Sequence, residues 1–435
     1  MQIIANLAGL VYCYQTEGFR MGQLPLVLCS VVFQPLNILA CCSWLSYISI
    51  LFQTLLIGLS TWIFSFGDPT FEKYPQRGKY DVGHKKIRTD KFDNEIVVFY
   101  PIEKGTATSV KSQRNKFSFI EKEFHQQFMT GLGRALKLGQ KPFQNDIINQ
   151  GWYRFLLDGV IDFSISHAKI SKDFENGDNE MIPIVFSHGL SGCCRFYCGL
   201  LNDYASHGYI IFAISHRDKT ASYTNDKDGN FYYFENEPKV FDFKLRNDQG
   251  KLDMPNIKIN TQKLTSMGHS FGGITAVRAG YLSDKIKAIV SFDPWMYMHQ
   301  KEAISGEMKV NKYLFTIMTE TFPSLCPGYD QWAAQKALHQ FNSTGMNESI
   351  ILKNCHHNDQ TDFPQLIPFE YDVLEKRFPR SDLREINYLN NQLGLLYLAK
   401  IGFSNYHTSA EIEQRIKGIK EKYAAYDVEL TTKIN

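Results

Sequence analysis

Met267-Gly268-His269-Ser270-Phe271-Gly272-Gly273 is a G-x-S-x-G pattern with an apolar run, Leu264 to Met267, before it and a helical period, Gly272 to Leu282, after it. A strand that turns into a helix this abruptly holds its serine in a strained backbone conformation, and small glycine neighbours let the two elements approach while the hydroxyl stands clear. That makes Ser270 a candidate nucleophile. An ordinary glycine-rich turn between a strand and a helix is the plain alternative, and the flanking periods weigh against it.

Outward from this turn, short β-branched runs alternate with helical periods from about residue 75, the pattern of α/β layers around a mostly parallel sheet. Strands are expected at Ile96 to Tyr100, Ile182 to Phe186, Ile210 to Ile214, Leu264 to Met267, Ile286 to Phe292, Tyr313 to Ile317 and Ile350 to Leu352. Helices are expected at Phe196 to Ser206, Gly272 to Leu282 and Asp330 to Phe341. The polar stretch from Asn225 to Asn260 reads as a long surface excursion. Phe117, Ile120, Phe124, Phe128, Leu132 and Leu136 fall near helical spacing, which suits either a lipid interface or a helix packed on the scaffold. Ile412, Ile416, Ile419 and Tyr423 form a similar stripe, read as a docking helix.

A nucleophilic serine needs a base, and the base needs a carboxylate to hold its tautomer. Asp293 ends the apolar run Ala288 to Phe292, and His357 follows the strand Ile350 to Leu352 after a short loop, so order and strand-end placement favour Ser270, Asp293 and His357. His356 is a rival base and Glu320, after Tyr313 to Ile317, a rival acid. The oxyanion requires backbone donors, one after the nucleophile and one from a loop behind an earlier strand. Phe271 meets the first requirement, and Leu190, in Ser187-His188-Gly189-Leu190-Ser191-Gly192, meets the second.

The 435 residues are 44% hydrophobic and 21% charged, enough for a large core, and the net charge of +2 leaves no basic excess for nucleic acid. Metal is not expected either, because neither a calcium loop nor a zinc spacing is present, and the chemistry above needs no cofactor. Nine cysteines, an odd number without repeated C-x-x-C, read as free thiols in a reducing compartment. The sequons at Asn342 and Asn347 point weakly the other way.

From Met21 to Gly67 there is no Asp, Glu, Lys or Arg. One membrane span needs about 20 such residues. Trp44 to Phe64 is the better span, and Leu24 to Ala40, weakened by Pro35, Gln34 and Asn37, is a partner arm. The competing reading is a pair of buried or interfacial helices in a soluble protein; a cleaved signal peptide lacks a basic start. Arg20 stands alone before the stretch and Lys73, Arg77 and Lys79 follow it, which places the larger C-terminal part in the cytosol. Cys41 and Cys42 could be S-acylated at a bilayer surface. The chain thus divides into a membrane-associated segment, 1–75, and a catalytic domain, 76–435.

Several motifs in this order resemble the platelet-activating factor acetylhydrolase family of serine esterases. They are Arg77-Gly78-Lys79-Tyr80-Asp81-Val82-Gly83, Phe186-Ser187-His188-Gly189-Leu190, Ala205-Ser206-His207-Gly208, Ser215-His216-Arg217-Asp218 with Ala221-Ser222, Gly268 to Gly273, Asp293-Pro294-Trp295-Met296, and His357 to Asp362-Phe363. The resemblance covers roughly residues 77 to 400 and implies an α/β-hydrolase fold, with Asp293 chosen over Glu320 and His357 over His356. It also implies a phospholipid substrate cleaved at its sn-2 acetyl or short acyl ester, while a membrane or lipid interface as its setting is expected from the apolar N-terminal composition alone. A serine esterase or lipase of other acyl preference, or a catalytically silent lipid-binding protein of the same fold, are the alternatives. Two features depart from the family: the apolar N-terminus, and the stretch between Asp218 and Gly268, which lacks the helical crossover that usually joins parallel strands.

Overall fold

The computed structural model describes residues 8, 23–33, 35, 43–65, 77–89, 93–109, 124–135, 164–175, 179–235, 258–325, 330–366, 383–404 and 409–423. Its strands are β1 (Asp81–Arg88), β2 (Glu95–Ile102), β3 (Ser164–Ser166), β4 (Ile182–Ser187), β5 (Tyr209–Ser215), β6 (Tyr223–Asn225), β7 (Phe231–Tyr233), β8 (Thr265–His269), β9 (Ala288–Phe292), β10 (Tyr313–Thr319) and β11 (Asn347–Leu352). Nine of them form one sheet in the order β11-β10-β9-β8-β4-β5-β2-β1-β3. From β5 to β11 all pairings are parallel, while β2 runs antiparallel to both β5 and β1. β4, β5, β8 and β9 are buried at every position, which is why they read as continuous apolar runs rather than as alternating ones.

Both faces of the sheet are covered. Helix Phe271–Leu282 buries Phe271, Ile274 and Val277 against Ile289 and Leu314 on one side. On the other, Leu200, Leu201 and Tyr204 of helix Cys198–Ser206 join Leu389, Leu393 and Leu396 of helix Leu383–Lys400 and the core residues Phe186, Ile211 and Val290. The parallel strands therefore all end on one edge, and the turns after β4, β8, β9 and β10 and the loop after β11 gather there. In open parallel sheets, ligands bind outside the carboxyl ends of the strands.

The expected strands and helices occur with small shifts of their ends. β1, β3 and the β6–β7 hairpin are additional, as is helix Leu383–Lys400. The segment expected as a surface excursion contains that hairpin, and residues 236–257 lie outside the described residues. Among the described residues between β5 and β8 there is no α-helix. Phe128, in helix His125–Ala135, is fully buried against Phe196 and Tyr223, so this part of the amphipathic stripe packs on protein; Phe117, Ile120 and Leu136 lie outside the described residues. Ile412, in helix Ser409–Tyr423, docks into the core as the stripe suggested. Cys29, Cys193, Cys194, Cys198 and Cys355 are free and buried. The amides of Asn342 and Asn347 are occupied, donating to the Lys312 carbonyl at 2.9 Å and the His339 carbonyl at 2.6 Å, which disfavours both sequons as surface acceptors.

Candidate active site

Ser270 occupies the turn between β8 and helix Phe271–Leu282 with φ 57° and ψ −119°. A non-glycine residue at this φ is costly and persists only where its surroundings over-determine it. Here they do: its N–H donates to the Phe292 carbonyl at 2.8 Å, and its carbonyl accepts from Trp295 at 2.9 Å and Ile274 at 3.2 Å. The glycines explain the tightness of the turn. A Cβ at Gly268 would stand 2.1 Å from the Gly272 carbonyl oxygen, and one at Gly272 would stand 2.0 Å from that of Ser187.

Asp293 lies just beyond β9, fully buried, and has φ 42°. Its Oδ1 accepts the Thr319 N–H at 2.6 Å, and its Oδ2 accepts the Thr319 hydroxyl at 2.5 Å and His357 Nδ1 at 3.0 Å. Because a carboxylate accepts, the proton of the neutral imidazole sits on Nδ1 and Nε2 keeps its lone pair. Phe322 stacks on the His357 ring at 4.0 Å and 11°, and His269 lies against it at 4.5 Å and 30°. Burial pushes the Asp293 carboxyl well up, opposed by the two Thr319 hydrogen bonds, and pushes the His357 imidazole down to about 3, so the ring rests uncharged.

The sequence-derived trio is thus brought to one place. His357 is hydrogen-bonded to Asp293, and Ser270 is tied to the Asp293 turn through Phe292 and Trp295. Among the described residues the Ser270 hydroxyl makes no hydrogen bond to His357, a contact that in serine hydrolases often tightens only with substrate. Both rivals are otherwise engaged. Glu320 accepts the Asn354 N–H at 2.9 Å, and His356 caps the turn that carries His357, its side chain accepting the Asp359 N–H while its own N–H donates to the Asp359 carboxylate at 2.7 Å.

Phe271 opens its helix, whose first N–H groups point back toward the turn and carry the positive end of the dipole. Leu190 lies in the loop after β4, half-buried. That loop is pinned at Ser191, whose N–H donates to the Thr220 carbonyl at 2.7 Å, and at Gly192, whose carbonyl accepts from Ser222 at 2.8 Å. It crosses directly over Ser270, since a Cβ at Gly189 would meet Ser270 Cβ at 3.2 Å and the Tyr197 hydroxyl at 3.0 Å. Behind it, His188 and His216 are buried at 5.0 Å, with Ser187 Oγ 2.7 Å from His216 Nε2 and the His216 N–H donating to His188 Nε2 at 3.2 Å.

Sequence reading passed over Thr319, Tyr197 and His269. Thr319 is a β10 residue with no motif of its own, Tyr197 lies within a segment read only as a helix, and His269 was quoted only as a variable place in the elbow. Ligand atoms of His269, Asp293 and His357 lie within 4.8 Å of one another. Both carboxylate oxygens and both His269 ring nitrogens are already committed to protein hydrogen bonds, so a cation there would have to displace them.

A mostly parallel sheet that carries a positive-φ serine between strand and helix, followed in chain order by a strand-end aspartate and a loop histidine, is the α/β-hydrolase fold. The solved ferulic acid esterase from Streptomyces cinnamoneus has the same fold, with a TM-score of 0.55 at 14% identity, covering 78% of this chain and 96% of that one. The profile of the family described as platelet-activating factor acetylhydrolase, isoform II, matches residues 70–249 and 236–401, and the chain belongs to that family. The two matches meet within the connection between β5 and β8. Platelet-activating factor acetylhydrolase of the guinea pig, Cavia porcellus, is 24% identical over an alignment of 310 residues that covers 60% of this chain and 63% of that protein. The protein of that name in Bos taurus is 27% identical over an alignment of 187 residues that covers 32% of this chain and 40% of that protein. The chain therefore spans less than two thirds of these relatives.

Proposed function

We propose that the protein is a serine esterase that hydrolyses the sn-2 acetyl or short acyl ester of platelet-activating factor-like or oxidised phospholipids, releasing lysophospholipid and a short carboxylic acid. The reading rests chiefly on the hydrogen bond from His357 Nδ1 to a buried Asp293, set beside the strained Ser270 turn. Family membership and the names of the relatives favour the substrate class.

In this mechanism His357 Nε2 takes the Ser270 proton as Oγ attacks the ester carbonyl, and Asp293 holds the ring and stabilises its charged form. The oxyanion is received by the N–H groups of Leu190 and Phe271. The imidazolium then protonates the leaving lysolipid alkoxide. Water, deprotonated by the same histidine, attacks the acyl enzyme, and collapse of the second tetrahedral intermediate returns the proton to Ser270. The proposed setting is a lipid interface, with helix Ser43–Ser65 as the anchor.

The test pairs a fluorophosphonate probe with lipid turnover. The wild-type chain takes up the probe and cleaves acetyl in preference to long-chain sn-2 esters, and Ser270→Ala does neither. Turnover surviving in Ser270→Ala refutes the nucleophile, and a preference for long acyl chains refutes the substrate class while leaving the esterase.

A further inference from the structure

A continuous path of hydrogen bonds links the loop after β4 to the loop after β11. The Gly189 N–H donates to Tyr197 Oη at 3.0 Å, Tyr197 Oη lies 2.8 Å from His269 Nδ1, and His269 Nε2 lies 3.1 Å from the His357 carbonyl oxygen. Every proton along it can be placed. A carbonyl only accepts, so His269 Nε2 must carry hydrogen. Burial, reinforced by the neighbouring His357, holds His269 well below the usual histidine range, so the ring is neutral and Nδ1 is an acceptor. The single Tyr197 hydroxyl hydrogen therefore points to Nδ1, and its oxygen accepts from Gly189. All three bonds run in one direction and polarise one another. The rings are also fixed laterally, Tyr197 against Phe186 at 4.8 Å and His269 against His357 at 4.5 Å.

We propose that Tyr197 and His269 are positioning residues that hold the oxyanion loop and the base loop in register across the nucleophile. Gly189 immediately precedes Leu190, and the carbonyl at the far end belongs to the base itself. Between them, His269 is the residue before Ser270, so the path spans both sides of the reacting centre and passes through its middle. Neither side chain takes part in the bond-making steps. The inference rests on the reading of Ser270 as nucleophile and His357 as base.

The experiment uses the full chain with Tyr197→Phe, His269→Leu and His269→Gln, assayed on an acetyl ester, with kcat expressed per site titrated by fluorophosphonate. Titration removes any loss of folded protein from the comparison. Tyr197→Phe should lower kcat about 10- to 100-fold with KM changed less than about threefold, since small misplacements of reacting groups carry costs of that order. His269→Leu should fall as far. His269→Gln, whose amide can donate to the carbonyl and accept from Tyr197, should recover about tenfold or more over His269→Leu. Should Tyr197→Phe yield no titratable sites, the two His269 variants decide. Unchanged kcat per site in Tyr197→Phe and His269→Leu, or a glutamine no better than leucine, overturns the relay while a labelled wild type leaves the nucleophile standing. A wild type that takes no probe at Ser270 overturns the nucleophile, and the relay with it.

Discussion

At the scale of single residues, the carboxylate of Asp293 depends on Thr319, which supplies both a backbone and a hydroxyl donor to it. Thr319→Val keeps the shape and the N–H but leaves a buried carboxylate short of one bond. Hydrogen bonds to charged groups are worth about 1.5–3 kcal/mol, so kcat/KM should fall roughly 10- to 100-fold, measurable on any ester the wild type cleaves. An unchanged value would mean that the hydroxyl does not support the acid. The pH profile tests the base. Protonated His357 cannot accept the Ser270 proton, so kcat/KM should rise with pH through the pKa of the free enzyme. Burial lowers that pKa, whereas the adjacent carboxylate favours the charged ring, and with burial dominant the midpoint should lie below the ordinary value of about 6.5. A midpoint above about 7 would show the carboxylate prevailing. The residues brought together here were legible in sequence where a strand end and a motif coincide, as at Ser270 and Asp293. Thr319, Tyr197 and His269 were not, because their roles come from contacts across the sheet that no local pattern records.

Among the elements, the histidine loop is tied to helix Cys198–Ser206 by Asp362, whose Oδ2 accepts the Gly199 N–H at 2.8 Å while its own N–H donates to the Phe196 carbonyl at 2.7 Å. A carboxylate at a helix N-terminus is ordinarily favoured, but burial prevails over the Gly199 and Cys198 N–H groups and pushes Asp362 up to about 8. The sign of the consequence follows. Below about pH 4 both the folded and the unfolded chain hold this proton; as pH rises toward 8 the unfolded chain loses it and the folded chain keeps it, so stability falls across that window. Asp362→Asn keeps an acceptor for Gly199 and does not titrate. The melting temperature of the variant should therefore gain on the wild type steadily between about pH 4 and 8. A constant difference across that range would contradict the assignment. Helix Leu383–Lys400 shows why some elements escaped sequence reading. Its apolar stripe, Ile386, Leu389, Leu393 and Leu396, is interleaved with buried Asn387, Asn390, Asn391 and Gln392, with Asn391 donating to Asp203 at 3.1 Å and Asn390 accepting from Gln360 at 3.1 Å, so the polar residues buried beside it blur the contrast between an inner and an outer face. β1 hid for a related reason, since Lys85, Lys86 and Arg88 interrupt it, whereas the β-branched runs of β4, β5 and β9 advertise themselves.

For the whole molecule, the question is what surrounds helix Ser43–Ser65, which is long and apolar enough to cross a membrane. A helix on a water-soluble surface turns apolar side chains inward, and this one does the reverse. Leu51, Leu55 and Trp62 are more than half exposed, whereas Ser49 and Ser60 are buried. Ser49 donates to the Phe33 carbonyl at 3.1 Å and Gln53 to Ser49 at 3.3 Å, so these polar groups face the helical segment 23–33, against which Phe52 also stacks on Phe33 at 5.6 Å. Thr54 and Thr61 donate back to the carbonyls of Ile50 and Ile57. In hydrocarbon a polar group has to find a protein partner, and here each of these four side chains does. Trp44 and Trp62 lie about 27 Å apart along the axis at ~1.5 Å per residue, close to the ~30 Å of a bilayer core and suited to its two interfaces. The chain should accordingly remain in the membrane pellet through alkaline carbonate extraction and require detergent for release. In vesicles of brominated phosphatidylcholine its tryptophan emission should be quenched, and Trp44→Phe combined with Trp62→Phe should remove most of that quenching. Recovery in the carbonate supernatant, or quenching indifferent to the two substitutions, would instead mean that this outward apolar face is covered by protein.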